Sequence, residues 1–142
     1  TIMGKVQILA VLTMDGCLSS ELYDKAHQDL CLDRCGLDEI REKALYHVTP
    51  DYSISMLHEW RKDGTNIRYL AEATSDTADY INGLLRMHAV DEIILYTVPF
   101  ISGSGRHFFK SALPEQHWTL SSLKSYPNGV CRIIYILDKK AR

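Results

Sequence analysis

The stretch KVQILAVLTMDG at residues 5–16 joins an unbroken apolar run to an Asp-Gly turn. Val, Ile and Leu dominate residues 5–13, and no glycine or proline interrupts them, which is typical of a strand buried on both faces. Asp15-Gly16 then predicts a turn. Open α/β sheets bind ligands in crevices at the carboxyl ends of such strands, so this turn is either a ligand-binding element or a plain Asp-Gly turn. The spacing alone favours neither interpretation.

Helical and strand-like segments alternate along the rest of the chain. Two final strand-like runs flank Pro127-Asn128-Gly129, and Asn-Gly between such runs is typical of a β-hairpin. Alternation followed by a hairpin predicts the α/β class, with a mixed sheet that carries helices on its faces. The expected helices cover residues 20–35, 37–46, 54–62 and a segment that begins at Ser75 or Asp76. The expected buried face of that last helix is Ala78, Ile81, Leu84, Leu85 and His88. The expected strands cover residues 5–13, 66–71, 90–98, 118–126 and 130–138, with a break over residues 47–52.

Length and composition predict one domain over residues 1–142, because 46% of the 142 residues are apolar. Sixteen basic residues against eighteen acidic ones give a net charge of −2, which argues against a nucleic-acid partner. The longest apolar runs are far shorter than the roughly 20 residues of a membrane helix, and the first residues do not resemble a signal peptide. Four scattered cysteines without a CxxC motif favour reduced thiols, so we expect a cytoplasmic protein with no membrane partner.

Three possible metal ligands, His27, Cys31 and Cys35, recur every four residues on the first expected helix. An ordinary helix face explains this spacing better, since no fourth ligand is evident, and we predict no metal site. Asp91-Glu92 is interpreted as a solvated pair at a strand edge rather than a catalytic acid pair, because adjacent strand residues face opposite sides. The sequence contains no Walker loop, no GxSxG turn and no GxGxxG fingerprint.

A second feature with possible chemistry follows the strand at residues 66–71. Glu72-Ala73-Thr74-Ser75-Asp76 leads directly into a helix, and the free amides at a helix start suit an anion such as phosphate. The alternative is an ordinary capped helix that binds no anion, and the residues alone favour this alternative.

These two features, followed by VDEIILYTVPFISGSG at residues 90–105, resemble the dihydrofolate-reductase-like fold. The resemblance is to the branch formed by the C-terminal reductase domain of the bifunctional riboflavin-biosynthesis deaminase-reductase. That family typically has a strand ending in S-L-D-G and another ending in E-G-G. Later it has V-D-E, an apolar strand, proline, and G-x-G followed by phenylalanine. Thr13-Met14-Asp15-Gly16 is similar to the first motif. The last motif is matched by Asp91, Glu92, Pro99, Gly103, Gly105 and Phe108.

The resemblance implies a three-layer αβα fold with a mixed, mostly parallel sheet and a C-terminal antiparallel hairpin. It also implies a homodimeric, NADPH-dependent reductase of a pyrimidine- or pterin-like small molecule, similar to the 5-amino-6-(5-phosphoribosylamino)uracil reductase of riboflavin biosynthesis. By position, Asp15 and Glu72 would contact substrate, and the main chain around Ala10, Val11, Thr13 and Asp15 would face the nicotinamide. The positions implied for the cofactor are Val11, Thr13, Ala73, Thr74, Ser75, Asp76 and Gly103. No catalytic residue is identified.

Departures from the family's pattern favour a second hypothesis. The E-G-G glycines are replaced by Ala73-Thr74, and Asp76 adds a negative charge where phosphates would lie. The 50 residues between Gly16 and Ile67 hold neither a G-R-x-T-like cofactor loop nor a tryptophan-bearing substrate loop. The alternative is therefore a non-catalytic relative that keeps the fold as a dimeric or ligand-binding domain.

Overall fold

The computed structural model describes residues 4–19, 35–62, 66–103 and 106–138. Its strands are β1 (Lys5–Leu12), β2 (Tyr46–His47), β3 (Arg68–Glu72), β4 (Glu92–Thr97), β5 (Trp118–Ser125) and β6 (Cys131–Leu137). Its described helices are α1 (Leu37–Lys43), α2 (Ile54–Trp60) and α3 (Ala78–Arg86). Most of the helix expected over residues 20–35 lies outside the described residues, as do His27 and Cys31 of the metal hypothesis.

The six strands form one mixed sheet in the order β2-β3-β1-β4-β6-β5. The first four are mutually parallel, and β6 and β5 run antiparallel to their neighbours. The predicted C-terminal hairpin is thus confirmed. Its turn includes Gly129 at a φ of 91°, a left-handed conformation that glycine adopts without strain.

The two faces of β1 belong to two separate cores, as the unbroken apolar run predicted. Residues 6–10 are all buried. Val6 and Ile8 pack in one cluster with the buried side chains of α2 and α3, such as Leu57 and Ile81. Leu9, on the other face, packs in a second cluster with residues around α1. Helices therefore cover both faces of the sheet, which confirms the expected α/β fold.

The chain between α1 and α2 differs from expectation. The helix expected to reach residue 46 ends at Lys43, because Ala44 already has an extended backbone with a φ of −81° and a ψ of 126°. Tyr46–His47 then forms β2 beside β3, a strand that the sequence analysis missed. The amide of Val48 continues this pairing by donating to the Leu70 carbonyl over 2.7 Å. Since β2 has only two residues, it carries no periodic signal in the sequence.

The bounds of α3 are also corrected. The helix begins at Ala78 with Thr77 as its cap, later than the Ser75 or Asp76 start that was expected. His88, expected on its buried face, is exposed beyond the end of the helix and has a φ of 54°. The buried side chains are those of Ala78, Ile81, Asn82, Leu84 and Leu85.

Asp91 is not the solvated edge residue that the sequence suggested. Its carboxylate accepts a 2.9 Å hydrogen bond from the Val6 amide and lies 3.0 Å from Nη1 of Arg61. The Arg61 side chain is only 5% exposed, and its Nη2 donates to the His88 carbonyl over 3.0 Å. This ion pair therefore joins the start of β1 to the ends of α2 and α3. Glu92 points to the opposite face, where Nε2 of Gln7 donates to it over 3.3 Å.

Asp91→Ala is expected to lower the free energy of unfolding by about 3–5 kcal/mol, because it leaves the buried Arg61 charge without its partner. Urea denaturation measures this loss. The matched control is Glu59→Ala, which breaks an exposed ion pair with Lys62 at 3.6 Å. That control is expected to cost at most about 1 kcal/mol. Equal losses in the two variants would contradict the role given to Asp91.

Candidate functional site

The carboxyl ends of three parallel strands meet at one edge of the sheet. Leu12 near the end of β1 is level with Thr97 at the end of β4, and Glu72 at the end of β3 is level with Leu9. We call this the carboxyl edge. Directly after β1, the Thr13 amide donates to the Cys17 carbonyl over 2.9 Å, which closes the predicted turn.

The carboxylate of Asp15 ties this turn to the loop that follows β4. Oδ1 accepts from the Ser102 amide over 3.1 Å, and Oδ2 accepts from the Gly103 amide over 3.0 Å. The Thr13 hydroxyl donates to Oδ1 as well. These bonds, with that from Thr13 the largest influence, hold the pKa of Asp15 well below its ordinary value. The ionised carboxylate of Asp15 therefore clamps the two loops together.

Two buried side chains also fix the loop that follows β4. Phe108, which matches the phenylalanine of the family motif, is fully buried. Asn82 of α3 is also fully buried; its Nδ2 donates to the Phe108 carbonyl over 2.8 Å, and its Oδ1 accepts from the Lys110 amide over 3.0 Å. The sequence analysis missed Asn82, although a polar residue beside Ile81 on an apolar helix face was a visible signal.

Glu72 at the end of β3 is held by an arginine of α1. Oε1 of Glu72 lies 2.8 Å from Nη2 of Arg41 and accepts a 3.0 Å hydrogen bond from its Nε. The Glu72 side chain is 35% exposed, so it reaches solvent while Arg41 fixes its direction. Sequence reasoning proposed Glu72 as a site residue but did not identify Arg41, because nothing in the chain marks a contact across 31 positions.

The turn between β3 and α3 is closed on itself. The Thr74 amide donates to Oγ1 of Thr77 over 2.8 Å, and the Thr77 amide donates to Oγ1 of Thr74 over 3.3 Å. The Ala78 amide donates to the Thr74 carbonyl over 3.0 Å. These amides are engaged within the protein, and the exposed Asp76 and Asp79 add negative charge to the helix start. In this conformation those three amides are not free to bind a phosphate, and the two carboxylates disfavour an anion at this helix start.

The predicted site residues form two groups on neighbouring strands. Thr13, Asp15 and Gly103 share one hydrogen-bonded cluster, with Ala10 and Val11 preceding it on β1. Residues 72–76 form the second group, which the 2.8 Å bond from the Ala73 amide to the Leu9 carbonyl joins to β1. Within the described ranges, side chains arranged to hold a metal ion do not occur. No helix in the described part of the chain has the length and apolar character needed to cross a membrane.

Asp15→Asn is expected to destabilise the protein at neutral pH, because the variant lacks the charge that holds the two loops. The native pKa is depressed, so the carboxylate stabilises the fold above its unfolded pKa of about 3.9, and this contribution fades as the pH falls below that value. The difference in urea midpoint between wild type and Asp15→Asn should therefore be largest near pH 7 and shrink near pH 3.

The control for this measurement is Asp51→Asn, at an exposed aspartate whose carboxylate holds no loop. Its urea midpoint should follow the wild type at both pH values. A difference for Asp15→Asn that stays constant with pH would contradict the assignment of the carboxylate as a clamp.

No protein-family model matches this sequence, and no curated protein matches it either. Solved structures do match. A candidate riboflavin biosynthesis protein of Shewanella sp. PV-4 superposes with a TM-score of 0.63 at 12% identity, over 95% of this chain and 99% of that one. RibD of Acinetobacter baumannii superposes in two forms with TM-scores of 0.53 and 0.52, at 15% and 14% identity. These matches cover 96% of this chain but only 58% and 59% of RibD. The expected dihydrofolate-reductase-like α/β fold is thus confirmed, and this chain shares it with the riboflavin-biosynthesis proteins.

Proposed function

We propose that this chain is a reductase-like domain that binds a pyrimidine- or pterin-like small molecule at the carboxyl edge. The activity implied is reduction of that molecule with NADPH. The observation that carries the proposal is the Asp15 clamp, which joins the T-M-D-G turn to the loop of the V-D-E…P…G-x-G motif within the shared fold. The two motifs on which the resemblance rests therefore form one structural unit.

Glu72 supplies the side chain best suited to hold such a ligand. Both contacts from Arg41 engage Oε1 of Glu72, which leaves Oε2 as an acceptor for a ring N–H or amino group of the ligand. Pyrimidines and pterins carry adjacent N–H donors, so a fixed carboxylate recognises this class directionally.

The residues expected to bind the cofactor give reason to consider a second candidate function. NADPH would supply the hydride, and the residues implied for its phosphates are Ala73 to Asp76. Because Thr74 and Thr77 satisfy each other's amides, these two amides can bind a phosphate only if the turn opens. The closed turn favours the alternative function, a non-catalytic ligand-binding relative that keeps the carboxyl edge and does not bind the dinucleotide.

Calorimetric titration with NADPH separates the two candidates. The reductase hypothesis expects saturable binding by the wild type. It also expects Asp76→Asn to bind NADPH about two- to fivefold more tightly, because one negative charge is removed from the helix start where phosphates would lie. Asp51→Asn, at an exposed site on the approach to α2, should leave the affinity unchanged.

Absence of saturation up to millimolar NADPH, in both the wild type and Asp76→Asn, would end the reductase hypothesis and support the non-catalytic one. Ligand binding at the carboxyl edge is then tested by titration with a pterin, for which Glu72→Gln should weaken binding and Glu59→Gln should not. The homodimer and the cytoplasmic location stay predictions. Light scattering tests the homodimer, which would have twice the 16.2 kDa mass of the chain.

A further inference from the structure

The two edge strands of the sheet differ in how well they are protected from pairing with another chain. The sheet order places β2 at one edge and β5 at the other. β2 has only two residues, and such a short strand offers little backbone to a further strand. β5 has eight residues, contains no proline and carries a single charged side chain, that of Lys124. Within the described sheet, β5 thus has a long and open outer edge.

Two leucines of β5 lie exposed on the same face of the sheet. Leu120 is 52% exposed and Leu123 is 63% exposed. Leu120 is level with Tyr135 of β6, and Leu123 is level with Ile133. Tyr135 and Ile133 are two positions apart on β6 and point to one face, so both leucines point there too. The leucines share a face because the register shifts by one residue between Leu120 and Ser122.

The backbone groups at the open edge of β5 follow from the hydrogen bonds at the two ends of the strand. The Tyr126 amide donates to the Val130 carbonyl over 2.9 Å, and the Asp138 amide donates to the His117 carbonyl over 2.9 Å. Residues along an antiparallel strand alternate between bonding to the neighbouring strand and pointing away from it. Counted from both ends, the residues whose N–H and C=O groups point away from β6 are Trp118, Leu120, Leu123 and Ser125.

This pattern is complementary to itself. When a second copy of β5 is placed antiparallel beside the first, one two-fold register brings Leu120 opposite Leu123 of the second copy. Backbone groups that point outward then meet groups that point outward, and both copies have their register shift at the centre. Thr119 lies opposite Lys124 of the second copy, so no charges of like sign are opposed.

We propose that two copies of this chain associate through β5, which joins their two six-stranded sheets into one. The outward backbone groups of each copy bond to those of the other, and the exposed leucines of both copies form one apolar cluster. A paired edge strand supplies fewer than the roughly 20–30 residues a side of a standard interface, so we expect a weak dimer with a Kd of roughly 10–100 μM. This interface gives the expected homodimer a location and does not depend on the function proposed for the carboxyl edge.

Sedimentation equilibrium of the whole chain, from about 1 μM to about 1 mM, measures the association. The wild type should shift from the 16.2 kDa mass of one chain to twice that mass as its concentration rises. Leu123→Lys should weaken association at least about tenfold, because it places a charge in the leucine cluster. The matched control is Leu45→Lys, at a leucine that is 64% exposed and directly precedes β2, and it should associate as the wild type does.

A designed charge pair tests the register. Thr119→Glu should tighten association about two- to tenfold, because each new carboxylate faces Lys124 of the other copy. Thr119→Lys should weaken association by a similar factor, since it opposes like charges. In a Lys124→Met background, Thr119→Glu should no longer tighten association, which separates the pair from a general effect of net charge.

Hydrogen exchange distinguishes strand pairing from packing of the leucine-bearing faces against each other. The amides of Leu120 and Leu123 should become protected as the protein concentration rises. The proposal is overturned if the wild type stays monomeric at about 1 mM, or if Leu123→Lys associates as strongly as Leu45→Lys. A dimer in which these two amides exchange as fast as in the monomer also overturns it, because its interface would not include the open edge of β5.

Discussion

The burial of β1 on both faces, with hydrogen-bonded neighbours along both edges, is the constraint on which the rest of the molecule depends. A strand in this position is shielded from solvent along its centre. Its alternate side chains therefore pack into two hydrophobic cores, one on each face of the sheet. Because β3 and β4 pair with β1 in parallel, the carboxyl ends of all three strands lie at the same edge of the sheet. Every candidate residue at the carboxyl edge lies where it does because of this pairing.

Charged groups define the two ends of the sheet in different ways. At the carboxyl edge, Asp15 accepts bonds from loop amides, so its charge is used to fix the backbone. At the other end, Asp91 and Arg61 form a buried pair that joins helices to the first strand. Removal of one member of such a pair is costly, although the pair itself contributes little net stability, since both charges have been taken out of water. The V-D-E motif thus has a structural reason in this chain that is independent of any reaction.

Local pattern was sufficient for the parts of the fold that local chemistry controls. The apolar run of β1 and the Asn-Gly hairpin both follow from short segments, and the structure has both of them. The parts that sequence reasoning missed are pairs formed across long separations. Arg41 reaches Glu72, Asn82 reaches the loop after β4, and Arg61 reaches Asp91. No window along the chain contains both partners, so no periodicity reports them.

The β3–α3 junction shows why a motif match alone does not determine a site. Ala73-Thr74 replaces two glycines, and the outcome is more than a loss of space, because the Thr74 hydroxyl finds a partner in Thr77. The junction thereby becomes a self-contained turn that caps its own helix. The residue types predicted that Ala73-Thr74 leaves less space than two glycines. The reciprocal hydrogen bonds between Thr74 and Thr77 could be identified only from the positions of both residues in the structure.

Helix α1 combines a core contact and a contact to the candidate site on neighbouring residues. Ile40 packs against the cluster that contains Leu9, while Arg41 beside it pairs with Glu72. The direction of the Glu72 carboxylate at the carboxyl edge therefore depends on how this short helix packs against the sheet.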